Sequence, residues 1–161
     1  MEPPTQIEPT KLADYLEVLT KAVFESGMSW KVVEAKWPGF RQAFNGFDPE
    51  TVASLSPDDV DRLTNDTRII RNRRKIEATV HNAGTMLDIE REFGAFKKYL
   101  GSQGDFQSLV TDMRKRFKHV GAFGAYYFLY VVGEPVPDHH EFRAKLLEGG
   151  KKERPATVRP G

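Results

Sequence analysis

Three short stretches carry residue types whose spacing suits chemistry. Residues 117–124, FKHVGAFG, place Lys118 and His119 directly before a Val120-Gly121 turn, and the chain then restarts as an apolar, aromatic segment. A glycine-containing turn between two helices can leave successive amides unpaired and aimed outward. With the N-terminus of the following helix, such amides form a phosphate site. A plain helix-to-helix turn is the alternative. Asp138 closes the junction between that apolar segment and the helix expected after it. A carboxylate there is either part of a site or simply a helix cap. The stretch ESGMSWKVV brings Trp30 to a helix start, where an indole is either simple core or part of a site.

Metal chemistry has little to work with. The chain has no cysteine and four histidines, His81, His119, His139 and His140. Neighbours such as His139 and His140 point about 100° apart on a helix and chelate poorly. No Ser/His/Asp signature, glycine-rich phosphate loop or EF-hand spacing appears. Neither a metal nor another cofactor is expected.

The formal charge of +1 hides a segregated distribution. Acid collects in the N-terminal tail and in SPDDVD (56–61). Base collects in RIIRNRRK (68–75), RKRFKH (114–119) and KKERPATVR (151–159). Such clusters can neutralise phosphates locally without making the whole domain basic. Arg71 is taken as a phosphate contact, and Arg73 and Arg74 as part of a solvated face.

The elements that must position these residues read almost entirely as helix. Leu12, Tyr15, Leu16, Leu19, Ala22 and Val23 recur at helical spacing, with Gly27 placed to end the helix. Ser29 caps a second helix that Pro38 is expected to interrupt. Asp48-Pro49 and Ser56-Pro57 each pair a cap with a proline at the first helical position, opening two short helices. A long helix is expected from about Asn72 to Glu92, burying Ile76, Val80, Ala83, Leu87 and Phe93, with Gly94 after it. Asp105 caps a helix through Met113. The segment after Gly121 is apolar on nearly all sides, which suits a central, fully enclosed helix. EPVPD is a rigid connection to a last helix through Phe142 and Leu146. The expectation is one all-α domain over residues 10–148, with disordered tails over 1–9 and, basic in character, over 149–161. No apolar run is long enough to span a bilayer and no signal-peptide pattern is present, so a cytoplasmic protein is the default; a monomer is expected.

Several blocks together resemble a known family. ESGMSWKVV, AFNGFDPETVASL and IIRNRRKIEATVHNA closely resemble consecutive blocks of the DNA-3-methyladenine glycosylase I family, typically AGLSW, FxxFDPxxVA and GIIRNRxKIxAxxxNA. RFKHVGAFGAYYFLYVVG looks like the family's hairpin and following helix, so the likeness covers about residues 12 to 140. The resemblance implies a helix-hairpin-helix fold that grips a DNA phosphate and flips a damaged base into a pocket. Carried over by position, Trp30 stacks on the base, while Val120 and Gly121 offer amides to the phosphate beside Lys118 and His119. The family's N-terminal block, which holds a pocket tyrosine and half of a structural zinc site, has no counterpart here. Arg143 stands where the family has a zinc-binding cysteine. The family's pocket glutamate falls on Ala22, with Glu25 one helical turn away as the nearest base-binding carboxylate. VPDHHEFR resembles the run that carries the catalytic aspartate in the wider superfamily, which makes Asp138 the catalytic candidate.

The implied activity is hydrolytic release of an alkylated purine such as 3-methyladenine from damaged DNA. Two other readings stay open: a DNA-binding relative without catalysis, and a helical interaction protein that does not bind DNA.

Overall fold

Short side-chain caps start most of the helices, as their sequence positions imply. Ser29 Oγ accepts the Val32 amide at 3.4 Å, Asp48 that of Thr51 at 3.0 Å, and Asp105 that of Ser108 at 2.8 Å. Ser56 and Asp59 exchange bonds as a capping box, at 3.1 and 2.8 Å, and Asn72 caps the long helix through Lys75 N–H. Gly27 and Gly94 take left-handed backbone angles, φ +72° and +89°, where helices end.

The computed structural model describes residues 4–144. These residues form α1 (Leu12–Glu25), α2 (Trp30–Ala43), a 3-10 turn (Asn45–Phe47), α3 (Pro49–Ala53), α4 (Pro57–Leu63), α5 (Arg73–Phe93), α6 (Phe96–Leu100), α7 (Phe106–Arg116) and α8 (Ala122–Val131). A further helical stretch begins at residue 139, and no strand occurs among the described residues. The fold is all-α, as expected. Leu146 and the basic tail over 149–161 lie outside the described residues. In its described part, the stretch expected to be a loose N-terminal tail is anchored to the end of α8. Ile7 N–H bonds Val131 O at 2.8 Å and Gln6 Nε2 bonds Tyr130 O at 2.9 Å. No described helix is long and apolar enough to cross a membrane.

Three expectations are corrected. Pro38 does not end α2, which runs on to Ala43. A proline inside a helix costs about 3 kcal/mol, and here an aromatic stack offsets it. Trp37 lies 4.5 Å from Phe40 and 5.5 Å from Phe47, both nearly parallel, and Phe44 continues the stack. The indole N–H is also bonded to Glu17 at 2.8 Å. The buried stripe of α5 is rotated from its expected place. Val80, Leu87 and Phe93 are half-buried, whereas Ile76, Thr79, Met86 and Ile89 are buried together with the polar Lys75 and Asn82. This helix packs against α1, α3, α4 and α6, so several neighbours rather than one determine its inner side. Finally, α8 is not fully enclosed. Phe128 and Leu129 are buried, but Phe123 is 50% exposed, and Tyr126, Tyr127 and Tyr130 border a cavity. The short α6 carried no cap signal, and Ala95 at its start makes no side-chain cap.

Gly39 shows how closely α2 is seated. A Cβ there would collide with the backbone carbonyl of Arg68, which no rotamer change relieves. Gly39→Ala gains helix propensity but should still cost roughly 3 kcal/mol, lowering Tm by about 6–10 °C. A calorimetric Tm equal to or above wild type would refute this packing.

Candidate functional site

Two concavities meet at the turn between α7 and α8. The larger, about 910 Å³, lies among the end of α1, the start of α2, α8 and the stretch from residue 139. The smaller, about 570 Å³, runs along α7 and is lined by Thr111, Arg114, Lys115 and Phe117. Ser26, His119 and Gly121 border both.

Trp30 is the first residue of α2 and lines the larger cavity at 41% exposure, so it is wall rather than core. Its ring meets Tyr127 edge to face, with centroids 5.6 Å apart. That contact leaves much of the indole open to a planar guest. Tyr127 has Tyr126 and Tyr130 beside it on α8, the helix expected from the sequence to be fully enclosed. Their positions on the open side of α8 make them cavity walls, and the aromatic density of AYYFLY was the available signal.

Glu25 ends α1 and faces the same cavity. It is 5% exposed, yet neither carboxylate oxygen has a hydrogen-bond partner. Burial raises its pKa to about 7, against the lowering effect of Lys21 and with a further push from Glu34. The Tyr127 phenol is likewise pushed up, by burial first and then by the fields of Glu25 and Glu34. A buried carboxylate without a partner is costly, and one at a cavity wall is placed to meet a cation or a donor from a guest. Ala22 also lines this cavity, and a Cβ on Gly124 of α8 would sit 3.9 Å from its methyl.

Lys75 holds the backbone around Glu25. Its buried Nζ donates to Phe24 O at 3.1 Å and Ser26 O at 2.5 Å, satisfying carbonyls at the end of α1. Sequence reasoning placed Lys75 in a basic surface cluster. Its buried position could not be read from the charge run.

The turn itself is clamped by Asn82 of α5, whose side-chain amide accepts from Lys118 N–H at 2.8 Å and donates to Lys118 O at 3.1 Å. Neither group of the Lys118 backbone is therefore free for a ligand. His119 takes a left-handed φ of +58°. Val120 is buried, and Gly121 starts α8 without a side-chain cap. The N–H groups of His119, Val120 and Gly121 have no acceptor among the described residues. His119, Val120 and Gly121 line the smaller concavity together with Arg114 and Lys115, and successive unpaired amides are a group that suits an anion.

The remaining predicted residues fall elsewhere. Arg71 and the Lys118 side chain line neither concavity. Arg73 is paired with Asp61 and Glu77, consistent with a solvated face. Asp138 is exposed and also lines neither concavity. Its Oδ1 accepts the amides of His140 at 2.9 Å and Glu141 at 3.3 Å, so its carboxylate caps the helical stretch that follows. No group of three or more His, Asp or Glu suited to a metal ion occurs among the described residues.

Comparisons with known proteins place this all-helical domain in a family. The model of the methyladenine glycosylase family matches residues 9–120. DNA-3-methyladenine glycosylase 1 of Escherichia coli (strain K12) is 33% identical over 136 residues, covering 71% of this chain and 72% of that protein. The DNA-3-methyladenine glycosylase of Haemophilus influenzae is 33% identical over 89 residues, 55% of this chain and 48% of that one. Among solved structures, a variant of 3-methyladenine DNA glycosylase I in complex with 3-methyladenine superposes with a TM-score of 0.72 at 27% identity, covering 80% of this chain and 81% of that one. The 3-methyladenine DNA glycosylase I of Staphylococcus aureus superposes with a TM-score of 0.68 at 27% identity, covering 82% and 79%. The chain belongs to the methyladenine glycosylase family.

Proposed function

We propose that the protein is a DNA base-excision glycosylase that extrudes an N-alkylated purine of the 3-methyladenine type and releases it hydrolytically. The observation that carries this reading is the cavity that pairs an open indole face with a buried, unpartnered carboxylate, beside the unpaired amides of the turn. It takes the protein as a cytoplasmic monomer acting on damaged DNA.

The chemistry suits these groups. An N3-alkylated adenine is cationic, so the glycosidic bond breaks without protonation of the leaving group. Its electron pair neutralises the departing ring, positive charge passes to the sugar, and water supplies the oxygen that bonds C1′ and then loses a proton. Trp30 and Tyr127 hold the ring by stacking and cation–π attraction. Glu25 favours a charged ring over the neutral bases of intact DNA. The amides of His119, Val120 and Gly121, with Arg114 and Lys115, hold the backbone as a helix-hairpin-helix turn does. Arg71 and the Lys118 side chain add longer-range attraction. Asp138 is assigned to capping rather than to the sugar or water, because its carboxylate is already bonded and lies outside the cavity.

The test is release of 3-methyladenine from alkylated duplex DNA. Wild type should release it, and Asp138→Asn, which still caps a helix, should retain the rate within about threefold. A loss beyond about 100-fold would return Asp138 to the role of catalyst. No release by wild type would favour a DNA-binding relative without catalysis. One observation gives that second reading weight: among the described residues, Glu25 is the only carboxylate lining the cavity.

A further inference from the structure

The cavity carries positive charge opposite in sign to Glu25, and its source is the helical stretch from residue 139. Tyr126 Oη donates to Pro137 O at 2.8 Å and its ring stacks on the buried Phe142 at 4.4 Å, while Phe106 and Phe123 pack edge-on against Phe142. These contacts pin the stretch to α8, and the Asp138 cap begins its first turn. His139 and Arg143 are four residues apart, hence on one helix face, and both line the cavity. They are exposed at its rim, whereas Glu25 is buried within it. None of the ion pairs among the described residues includes Arg143.

We infer that Arg143, with His139 beside it, forms an anion subsite at the cavity mouth that holds a phosphate flanking the extruded nucleotide. A buried carboxylate and a rim guanidinium separate charge as an N-alkylated purine nucleotide does, with a positive ring and a negative phosphate. Arginine suits the task because its planar fork can meet two phosphate oxygens at once. This subsite differs from the turn amides, which would grip the backbone whether or not a nucleotide is extruded. The inference rests on the reading of the cavity as a base pocket. It also gives Asp138 a purpose, as the residue that positions the face carrying His139 and Arg143.

The test compares the full chain binding two duplexes, one undamaged and one with a single tetrahydrofuran abasic analogue, across a salt series. Wild type should bind the abasic duplex more tightly and with a steeper salt dependence. Arg143→Ala should weaken abasic-duplex binding about tenfold and reduce its salt slope by about one, with undamaged-duplex binding unchanged. Arg143→Lys should recover part of the loss, and an unchanged thermal melt would show that the fold survives. If Arg143→Ala keeps the full preference for the abasic duplex, or weakens both duplexes equally, the subsite is overturned and the base-pocket reading stands. If wild type itself does not distinguish the duplexes, the base-pocket reading falls and the subsite with it.

Discussion

Replacing Trp30 by alanine should lower kcat/KM for release of 3-methyladenine about 100-fold while leaving the fold nearly intact. Stacking of a base on an aromatic face contributes about 1–3 kcal/mol, and a cationic ring adds on the order of 1–2 kcal/mol in a desolvated pocket. Together these approach 3 kcal/mol, and each 1.4 kcal/mol is about a factor of ten. The stability cost is smaller because Trp30 is 41% exposed and, among the described residues, its one aromatic contact is the edge-on meeting with Tyr127. That contact accounts for about 1 kcal/mol, or a Tm change of about 2–4 °C. Trp30→Phe should keep most of the activity, since it retains a stacking face. A Trp30→Ala protein with unchanged kcat/KM would remove the cavity from the mechanism. One that fails to fold would show that the indole is core after all.

Glu25→Gln should show itself through pH. With a folded-state pKa near 7 against an ordinary value of 4.5, the folded protein holds a proton on Glu25 between those values that the unfolded chain does not. Stability from this group is therefore fully present below about pH 4.5 and lost as pH rises through 7. Above pH 8 the buried, unpartnered carboxylate should destabilise the protein by about 2 kcal/mol. Glu25→Gln should accordingly raise Tm at pH 8.5 by about 4–8 °C and have little effect at pH 5. Function should move the other way. A cationic base favours the ionised carboxylate, so wild-type kcat/KM should rise with pH through about 7. Glu25→Gln should flatten that rise and lower kcat/KM at pH 8 about 30-fold, mainly through KM, because the charge acts on the bound cationic ring. A variant that keeps the wild-type pH profile would separate Glu25 from base recognition.

Much of the helical layout is legible in the linear sequence because its signals are local. Ser29, Asp48, Ser56, Asn72 and Asp105 each bond an amide three residues ahead, so a cap and the periodicity behind it suffice to place a helix start. The same locality explains the failure at Pro38. Its cost is a property of the chain nearby, whereas the stack that offsets it joins Trp37 to Phe47 across the turn at Asn45–Phe47, ten residues on. The basic turn at 117–121 was recognisable, but the reason it holds its shape was not, since Asn82 reaches it across 36 residues.

The identity of the carboxylate in the cavity shows the same division. Asp138 follows a helix and precedes another, a sequence position that suits a catalyst and a cap equally well. Glu25 was legible only as the carboxylate nearest to Ala22, one helical turn away, with nothing in the sequence to say that it is buried. By itself the sequence determined an all-helical fold, most of the helix starts, the turn and the tryptophan at the head of α2. Only the tertiary structure decided which acid is desolvated, that Lys75 is buried under α1, and that α8 presents tyrosines to a cavity. Caps and periodicity act within a turn or two of helix. Desolvation and enclosure depend on elements far apart in the chain, as in the 51-residue separation between Lys75 and Phe24.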